Sequence, residues 1–140
     1  MTDEERIVRK MMMDQDAFSQ WLGIEIISIK KGSVELQMTI TDKMTNGFKI
    51  AHGGIAYSLA DSALAFSSNT HGIQSVTIES TMSHIKPLKV GEKINAVAKE
   101  LQLSGKFGRY LIEIINEKNE VAAVFYGTVF RTGKEWEMES

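Results

Sequence analysis

Hydrophobic and polar residues alternate with a period of two over residues 33–40. The hydrophobic positions of this stretch are Val34, Leu36, Met38 and Ile40. Such alternation predicts an antiparallel strand with one face buried and the other in water. Residues 24–30 precede this strand across Lys31 and Gly32, so the two segments predict a β-hairpin.

Similar patterns return in the second half of the chain and predict four more strands. Their approximate ranges are 74–85, 91–103, 107–116 and 120–131. Helical periodicity is found instead over residues 3–21 and over residues 54–68. Because consecutive strands are joined by short turns, the order favours an α+β fold with an antiparallel sheet over a doubly wound parallel sheet.

The second predicted helix has no polar face. Its sequence is GIAYSLADSALAFSS, so a sheet must surround it on most sides. One carboxylate, Asp61, interrupts this apolar surface. An ionised carboxylate is costly to bury without partners, so Asp61 either reaches solvent or an ion pair at an interface, or has a functional role.

Length, charge and composition exclude several classes of protein. The chain has 140 residues, a net charge of −2 and no cysteine. A chain of this length predicts a single domain over residues 1–140, with a core at about 22–131. We expect no disulfide, because the chain has no cysteine, and no nucleic-acid partner, because its net charge is slightly negative. We expect no membrane span, because no apolar run is long enough to form one. Residues 1–10 lack the apolar stretch of a signal peptide, so we expect a cytoplasmic location. The three histidines lack the spacing of a metal pair, so no metal is expected.

The segment before the apolar helix contains the main candidate chemistry. Asn46 and His52 precede the pair Gly53-Gly54. Glycines let a ligand approach backbone N–H groups closely, and the first N–H groups of a helix lack partners inside the helix. The start of this helix is therefore a candidate site for an anion or a developing oxyanion.

The chain resembles the hotdog-fold acyl-CoA thioesterases of the phenylacetate-pathway type. The residues that carry this resemblance are Asn46, His52, Gly53, Gly54 and Asp61. The resemblance covers about residues 22–131 and includes the later segment IKPLKVGE, residues 85–92. It departs at Lys49, where many relatives carry a third glycine. The resemblance implies a hotdog fold, in which an antiparallel sheet wraps around one long central helix, and an N-terminal helix precedes that core.

The resemblance also implies roles for individual residues. By this resemblance Asp61 would be the catalytic carboxylate, acting as a general base or as a nucleophile, and the backbone N–H of Gly53 would donate to the thioester carbonyl. His52 and Asn46 orient the loop, the thioester or the lytic water. Thr77, ten residues before Pro87, corresponds to an assisting hydroxyl. The substrate is an acyl-CoA, and no cofactor is implied.

Binding residues follow less directly from the sequence. Gly54 and Tyr57 are candidates for substrate contact. The candidates for the acyl pocket are Tyr57, Leu64 and Phe66. Lysine and arginine suit the phosphates of coenzyme A. The basic candidates near strand ends are Lys86, Lys89, Lys106 and Arg109. The sequence pattern assigns no role to His84.

Spacing along the helix bears on assembly. Asp61 lies eight residues after Gly53, which corresponds to about 12 Å at ~1.5 Å per residue. An aspartate side chain is too short to act on a carbonyl bound by Gly53 of the same chain. We therefore expect a homo-oligomer, a dimer or a dimer of dimers, with sites at the dimer interface.

Two other functions remain open from the sequence. A hotdog hydratase or dehydratase would also bind acyl thioesters, but it would use a histidine–acid pair. A non-catalytic acyl-CoA binding module would not need the carboxylate of Asp61.

Overall fold

The computed structural model describes residues 1–138 and contains one six-stranded sheet. Its strands are β1 (Glu25–Lys30), β2 (Ser33–Thr39), β3 (Ile73–His84), β4 (Lys93–Leu103), β5 (Phe107–Ile115) and β6 (Val121–Glu135). Their order in the sheet is β1-β2-β4-β5-β6-β3, and every neighbouring pair is antiparallel. The expected antiparallel α+β fold is confirmed, and β6 runs four residues beyond its predicted end.

The alternation in the first hairpin is preserved in the structure. The side chains of Val34, Leu36, Met38 and Ile40 are buried, as the period of two predicts. The turn between β1 and β2 contains Gly32, whose φ of 80° lies in the left-handed region. Glycine adopts this region without a steric penalty, so the predicted hairpin forms at the expected place.

The segment before β1 is helical but not one continuous helix. Helix α1 (Asp3–Glu5) continues as a π-helical stretch (Arg6–Met12) and a 3₁₀ turn (Met13–Gln15), and α2 (Ala17–Trp21) follows. Asp16 separates the two parts because its carboxylate caps α2, with Oδ1 accepting from the Ser19 N–H at 2.9 Å. The expected N-terminal helix is thus present with a break that helical periodicity alone did not indicate.

Helix α3 (Gly53–Asn69) is the apolar helix of the sequence. It packs against β2, β3, β4, β5 and β6. Its fully or nearly buried apolar residues are Ala56, Leu59, Ala60, Ala63, Leu64 and Phe66. None of the helices formed by residues 1–138 is long and apolar enough to cross a membrane.

One glycine allows α3 to approach the sheet closely. A β-carbon on Gly127 of β6 would stand 2.5 Å from Leu64 Cδ2 and 3.1 Å from Phe125 Cε1. Both side chains are completely buried, so neither has free space to move into. The small residue at this position therefore fixes the distance between helix and sheet.

Strand β3 lies at one edge of the sheet. It pairs with β6 on one side only, and most of its twelve residues are exposed or partly exposed on both faces. A long strand edge with unpaired N–H and C=O groups is a template for pairing with another chain.

We predict that Gly127→Ala destabilises the fold by about 1–3 kcal/mol, the usual cost of adding a methylene-sized group to a packed core. Urea unfolding followed by circular dichroism measures the change. Gly105→Ala is the matched control, because a β-carbon on Gly105 has no atom within 4 Å. Equal stability of the two variants would contradict the close contact between α3 and β6.

Candidate active site

The backbone N–H groups at the start of helix α3 differ in their hydrogen-bond partners. The imidazole of His52 caps the helix, and its Nδ1 accepts from the Gly54 N–H at 3.0 Å. The Ile55 N–H donates to the carbonyl oxygen of His52 at 2.9 Å. The N–H of Gly53 forms no hydrogen bond with any of residues 1–138. This donor is therefore available to a ligand oxygen at the positive end of the helix dipole.

The loop before the helix is held by its own hydrogen bonds. Asn46 Oδ1 accepts from the N–H of Phe48 at 2.9 Å, and the Asn46 N–H donates to Ile50 O at 2.9 Å. Lys49 has a φ of 63°, a left-handed conformation that glycine adopts more easily. The loop thus holds Lys49 in a backbone conformation that favours glycine.

A cavity of about 480 Å³ opens at the helix start. Its walls include Asn46, His52, Gly53, His84 and Lys86. The volume lies within the range of about 300–1,000 Å³ that is typical of small-ligand pockets. Four of these residues are site candidates from the sequence. The fifth, His84, is the last residue of β3, and the local sequence pattern does not identify it as a site residue.

Asp61 is partly buried on α3 and has no hydrogen-bond or ion-pair partner among residues 1–138. Burial raises the pKa of this carboxyl above its ordinary value, and the nearby negative charge of Asp16 raises the pKa further. Between the unfolded and the raised folded pKa, the folded protein binds more protons than the unfolded chain. The free energy of unfolding therefore falls as pH rises through this window. Below the window the carboxyl is protonated in both the folded and the unfolded state, so it does not lower the free energy of unfolding.

Two serines connect the carboxylate of Asp16 to α3 through hydrogen bonds. Asp16 Oδ2 accepts from the Ser19 hydroxyl at 2.7 Å. The hydroxyls of Ser19 and Ser62 are hydrogen-bonded at 2.8 Å in a buried position. Ser62 is the neighbour of Asp61 in the helix, so the N-terminal segment is fixed beside the candidate carboxylate. Helical periodicity of the N-terminal segment did not indicate this contact.

Several candidates do not reach the cavity of their own chain. Asp61 and Thr77 are absent from its walls. Thr77 lies seven residues before His84 on β3, which is about 23 Å at ~3.3 Å per residue. The hydroxyl of Tyr57 is hydrogen-bonded to Ser80 Oγ, and its ring meets Phe125 edge-on, with centroids 5.3 Å apart.

The predicted acyl-pocket residues Leu64 and Phe66 need a correction. Both side chains are completely inaccessible to solvent and belong to the hydrophobic core. They face the sheet rather than the cavity, because an apolar helix under a sheet places most of its large side chains in the core. Gly54 is also committed within the chain, since its N–H donates to His52.

The basic candidates divide into two groups. Lys86 lines both the cavity at the helix start and an adjoining groove that also contains Lys89 and Lys118. The ammonium of Lys86 lies 2.8 Å from Glu120 Oε2 and lowers the pKa of that carboxyl. Lys118 was not singled out from the sequence.

Lys106 and Arg109 lie elsewhere. Lys106 is in the β4–β5 turn, where its carbonyl accepts from the Arg131 N–H at 2.7 Å. Arg109 lines a separate groove with Ile78 and Phe107. Within one chain the structure does not bring these two residues to the helix start. Among residues 1–138, no three side chains of the His, Cys, Asp or Glu type come together as a metal site.

Comparison with known proteins gives one consistent family. Residues 48–123 match the profile of the thioesterase superfamily. The acyl-coenzyme A thioesterase PaaI of Escherichia coli (strain K12) is 36% identical over 122 residues, which are 87% of this chain and 87% of that protein. The solved structure of the E. coli PaaI protein from the phenylacetic acid degradation operon matches with a TM-score of 0.91 at 33% identity, over 94% of this chain and 96% of that chain.

A solved structure with a bound thioester is also similar. It is the protein smu.793 from Streptococcus mutans UA159, bound to acetyl CoA. The match has a TM-score of 0.78 at 25% identity and covers 81% of this chain and 91% of that chain. With the sheet order and the central helix, these likenesses confirm the expected hotdog fold.

We predict that Asp16→Asn lowers the pKa of Asp61, because it removes the nearby negative charge. Asparagine is as good a helix cap as aspartate, so α2 should stay capped. The carbon-13 chemical shift of the Asp61 carboxyl, followed through a pH titration, measures the pKa. Asp14→Asn is the control, because Asp14 is exposed and pairs with Lys10 at 3.7 Å. An unchanged Asp61 titration in Asp16→Asn would contradict the assigned cause.

Proposed function

The chain belongs to the thioesterase superfamily, and we propose that it hydrolyses the thioester bond of an acyl-coenzyme A, releasing the free acid and coenzyme A. The 36% identical relative from E. coli is named as an acyl-coenzyme A thioesterase. That likeness extends over 87% of both chains, so it includes the loop, the central helix and the strands that form the candidate site.

The unpaired N–H of Gly53 is the observation that carries the proposal. It lies at the positive end of α3 and on the wall of the cavity. When a thioester is attacked, the carbonyl oxygen gains negative charge. A fixed N–H aimed at that oxygen stabilises the charge, and one such donor is worth about 10²–10³ in rate. His52 supports this donor by taking the neighbouring N–H of Gly54, which fixes the first turn of the helix.

Asp61 supplies the second half of the chemistry. As a general base, its carboxylate takes a proton from water while the water oxygen bonds to the carbonyl carbon. As a nucleophile, it bonds to that carbon itself, expels the coenzyme A thiolate and leaves a mixed anhydride that water then hydrolyses. In both routes the C–S bond breaks and the thiolate takes up a proton. The lack of a partner for this carboxylate within residues 1–138 favours a reactive role over a structural one.

The proposed site is shared between two chains. Asp61 is about 12 Å along the helix from Gly53, and Thr77 is displaced along β3 in the same direction. The unpaired edge of β3 offers a surface on which a second copy can add its own β3 through backbone hydrogen bonds. A two-fold axis there would bring Asp61 and Thr77 of the partner subunit toward Gly53 and generate two equal sites.

The groove beside the cavity suits the phosphates of coenzyme A. Lys86, Lys89 and Lys118 lie along it, next to the wall of the cavity where the thioester would bind. Ammonium groups bind phosphate as compact charges. Lys106 and Arg109 stay predictions, because any contact they make with the substrate depends on how the subunits assemble.

We predict that the wild-type protein releases free thiol from at least one acyl-CoA in a panel of aryl, short-chain and medium-chain thioesters. Asp61→Asn should lower kcat by about 10²–10⁴, the usual contribution of a positioned base. Binding of the substrate should change little, since the side-chain volume is kept. Asp42→Asn, in an exposed 3₁₀ turn, is the matched control and should keep wild-type activity. No thiol release from any thioester, with binding retained, would instead identify a binding module.

A second prediction concerns the shared site. Asp61→Asn and His52→Ala are expected to be inactive alone. After subunit exchange, each mixed dimer contains one site with both lesions and one site with neither. Activity should then approach about a quarter of wild type for random 1:1 pairing on a closed two-fold dimer. Mixtures that exchange subunits, shown by mass spectrometry, but stay inactive would contradict the shared site.

A further inference from the structure

His84 is a polar wall residue of the cavity to which the proposed mechanism assigns no role. Its imidazole lies against the start of α3, with Nε2 3.3 Å and Cε1 3.4 Å from the point where a β-carbon on Gly53 would stand. The side chain is exposed to the cavity. Neither ring nitrogen is hydrogen-bonded to any of residues 1–138.

The two histidines of the cavity differ in what their nitrogens do. His52 uses Nδ1 to accept from the N–H of Gly54, so its ring is committed to capping the helix. His84 has no such contact. The N–H of Gly53 and the Nε2 of His84 therefore both lack a hydrogen-bond partner within residues 1–138, and both residues belong to the wall of one cavity.

We propose that His84 is a second hydrogen-bond donor to the thioester carbonyl, acting beside the N–H of Gly53; this assignment rests on the proposed function. Imidazole donates from Nε2 both as the imidazolium and as the neutral tautomer that carries its hydrogen there. As the carbonyl carbon is attacked, its π electron pair moves onto oxygen, and two donors would stabilise that charge. The pair returns when the C–S bond breaks and the thiolate leaves.

The same contact explains the residue type at position 53. A side chain on Gly53 would stand within 3.4 Å of the His84 ring, closer than an ordinary van der Waals contact. The ring would have to move away from the donor that it accompanies. Glycine at this position thus allows both the close approach of the substrate to the backbone and the close approach of His84.

Substitutions at His84 separate hydrogen bonding from shape. His84→Phe keeps a ring and removes both nitrogens. In His84→Gln the amide nitrogen takes the place of Nε2, whereas in His84→Asn it takes the place of Nδ1. We expect His84→Phe to lower kcat by about 10²–10³ with little change in KM, as for the loss of one oxyanion donor. The kcat of the glutamine variant should be at least about tenfold higher than that of His84→Phe. The kcat of the asparagine variant should stay near that of His84→Phe.

Ser83→Ala is the matched control for these variants. Ser83 precedes His84 on the same strand and pairs with Val124 of β6, and alternation places its side chain on the opposite face of the sheet. The control should keep wild-type kcat. Sedimentation of each variant checks that the subunits assemble as in the wild type.

A binding measurement tests the contact without turnover. An S-(2-oxoalkyl) analogue of coenzyme A carries a ketone oxygen but no thioester bond, and an S-alkyl thioether of equal chain length lacks the oxygen. Calorimetry should show that the wild type prefers the ketone and that His84→Phe loses this preference while binding the thioether as before.

The outcomes distinguish the two claims. A wild type that hydrolyses acyl-CoA, with His84→Phe equally active and equally selective for the ketone, would overturn the role of His84 and leave the proposed function intact. A wild type that releases no thiol but prefers the ketone through His84 would overturn the proposed function and support the contact. A wild type with neither turnover nor ketone preference would overturn both.

Discussion

A helix without a polar face determines the architecture of this protein. Helix α3 exposes no charged stripe to water, so it is stable only when a sheet covers most of its surface. Five strands do so, and Gly127 lets the helix lie close enough for Leu64 to fill the space above it. The sheet is thereby bound to the helix along its length, and the start of the helix is held at one fixed place.

The start of helix α3, held in place in this way, carries the backbone N–H groups of the candidate site. Every α-helix begins with N–H groups that have no partner within the helix. Here His52 satisfies one of them, and the Gly53 N–H at the wall of the cavity has no partner among residues 1–138. A ligand oxygen that enters the cavity can accept from this N–H in place of water. The partly buried carboxylate of Asp61 likewise has no partner in the described part of the chain, and burial and the charge of Asp16 raise its pKa.

Local patterns in the sequence predicted the features that depend on neighbouring residues. The alternation around Leu36 and the apolar period of α3 gave the strands, the central helix and the antiparallel fold. Asn46, His52 and the pair Gly53–Gly54 predicted the loop before α3 and the Gly53 N–H as a candidate donor. Contacts between distant segments could not be predicted in this way. His84 meets Gly53 only because β3 runs back along α3, a placement set by tertiary packing and not by any spacing in the sequence.

Two further differences have the same origin. Asp16 is held near Asp61 by the hydrogen bond between Ser19 of α2 and Ser62 of α3, a contact that helical periodicity does not indicate. The acyl-pocket candidates Leu64 and Phe66 are apolar, as expected, but an apolar side chain on α3 can face either the core or the cavity. Only the orientation of the helix on the sheet decides between these, and the structure places both in the core.

The central claim is that one active site uses the Gly53 N–H of one chain and the Asp61 carboxylate of another. A crystal structure with the bound S-(2-oxoalkyl) analogue of coenzyme A tests it most directly. The account predicts that the ketone oxygen accepts from the Gly53 N–H at about 2.9 Å, the usual N–H···O distance, while Asp61 of the partner subunit faces the carbonyl carbon. A ketone oxygen bound away from Gly53, or an Asp61 of the same chain beside it, would contradict the account.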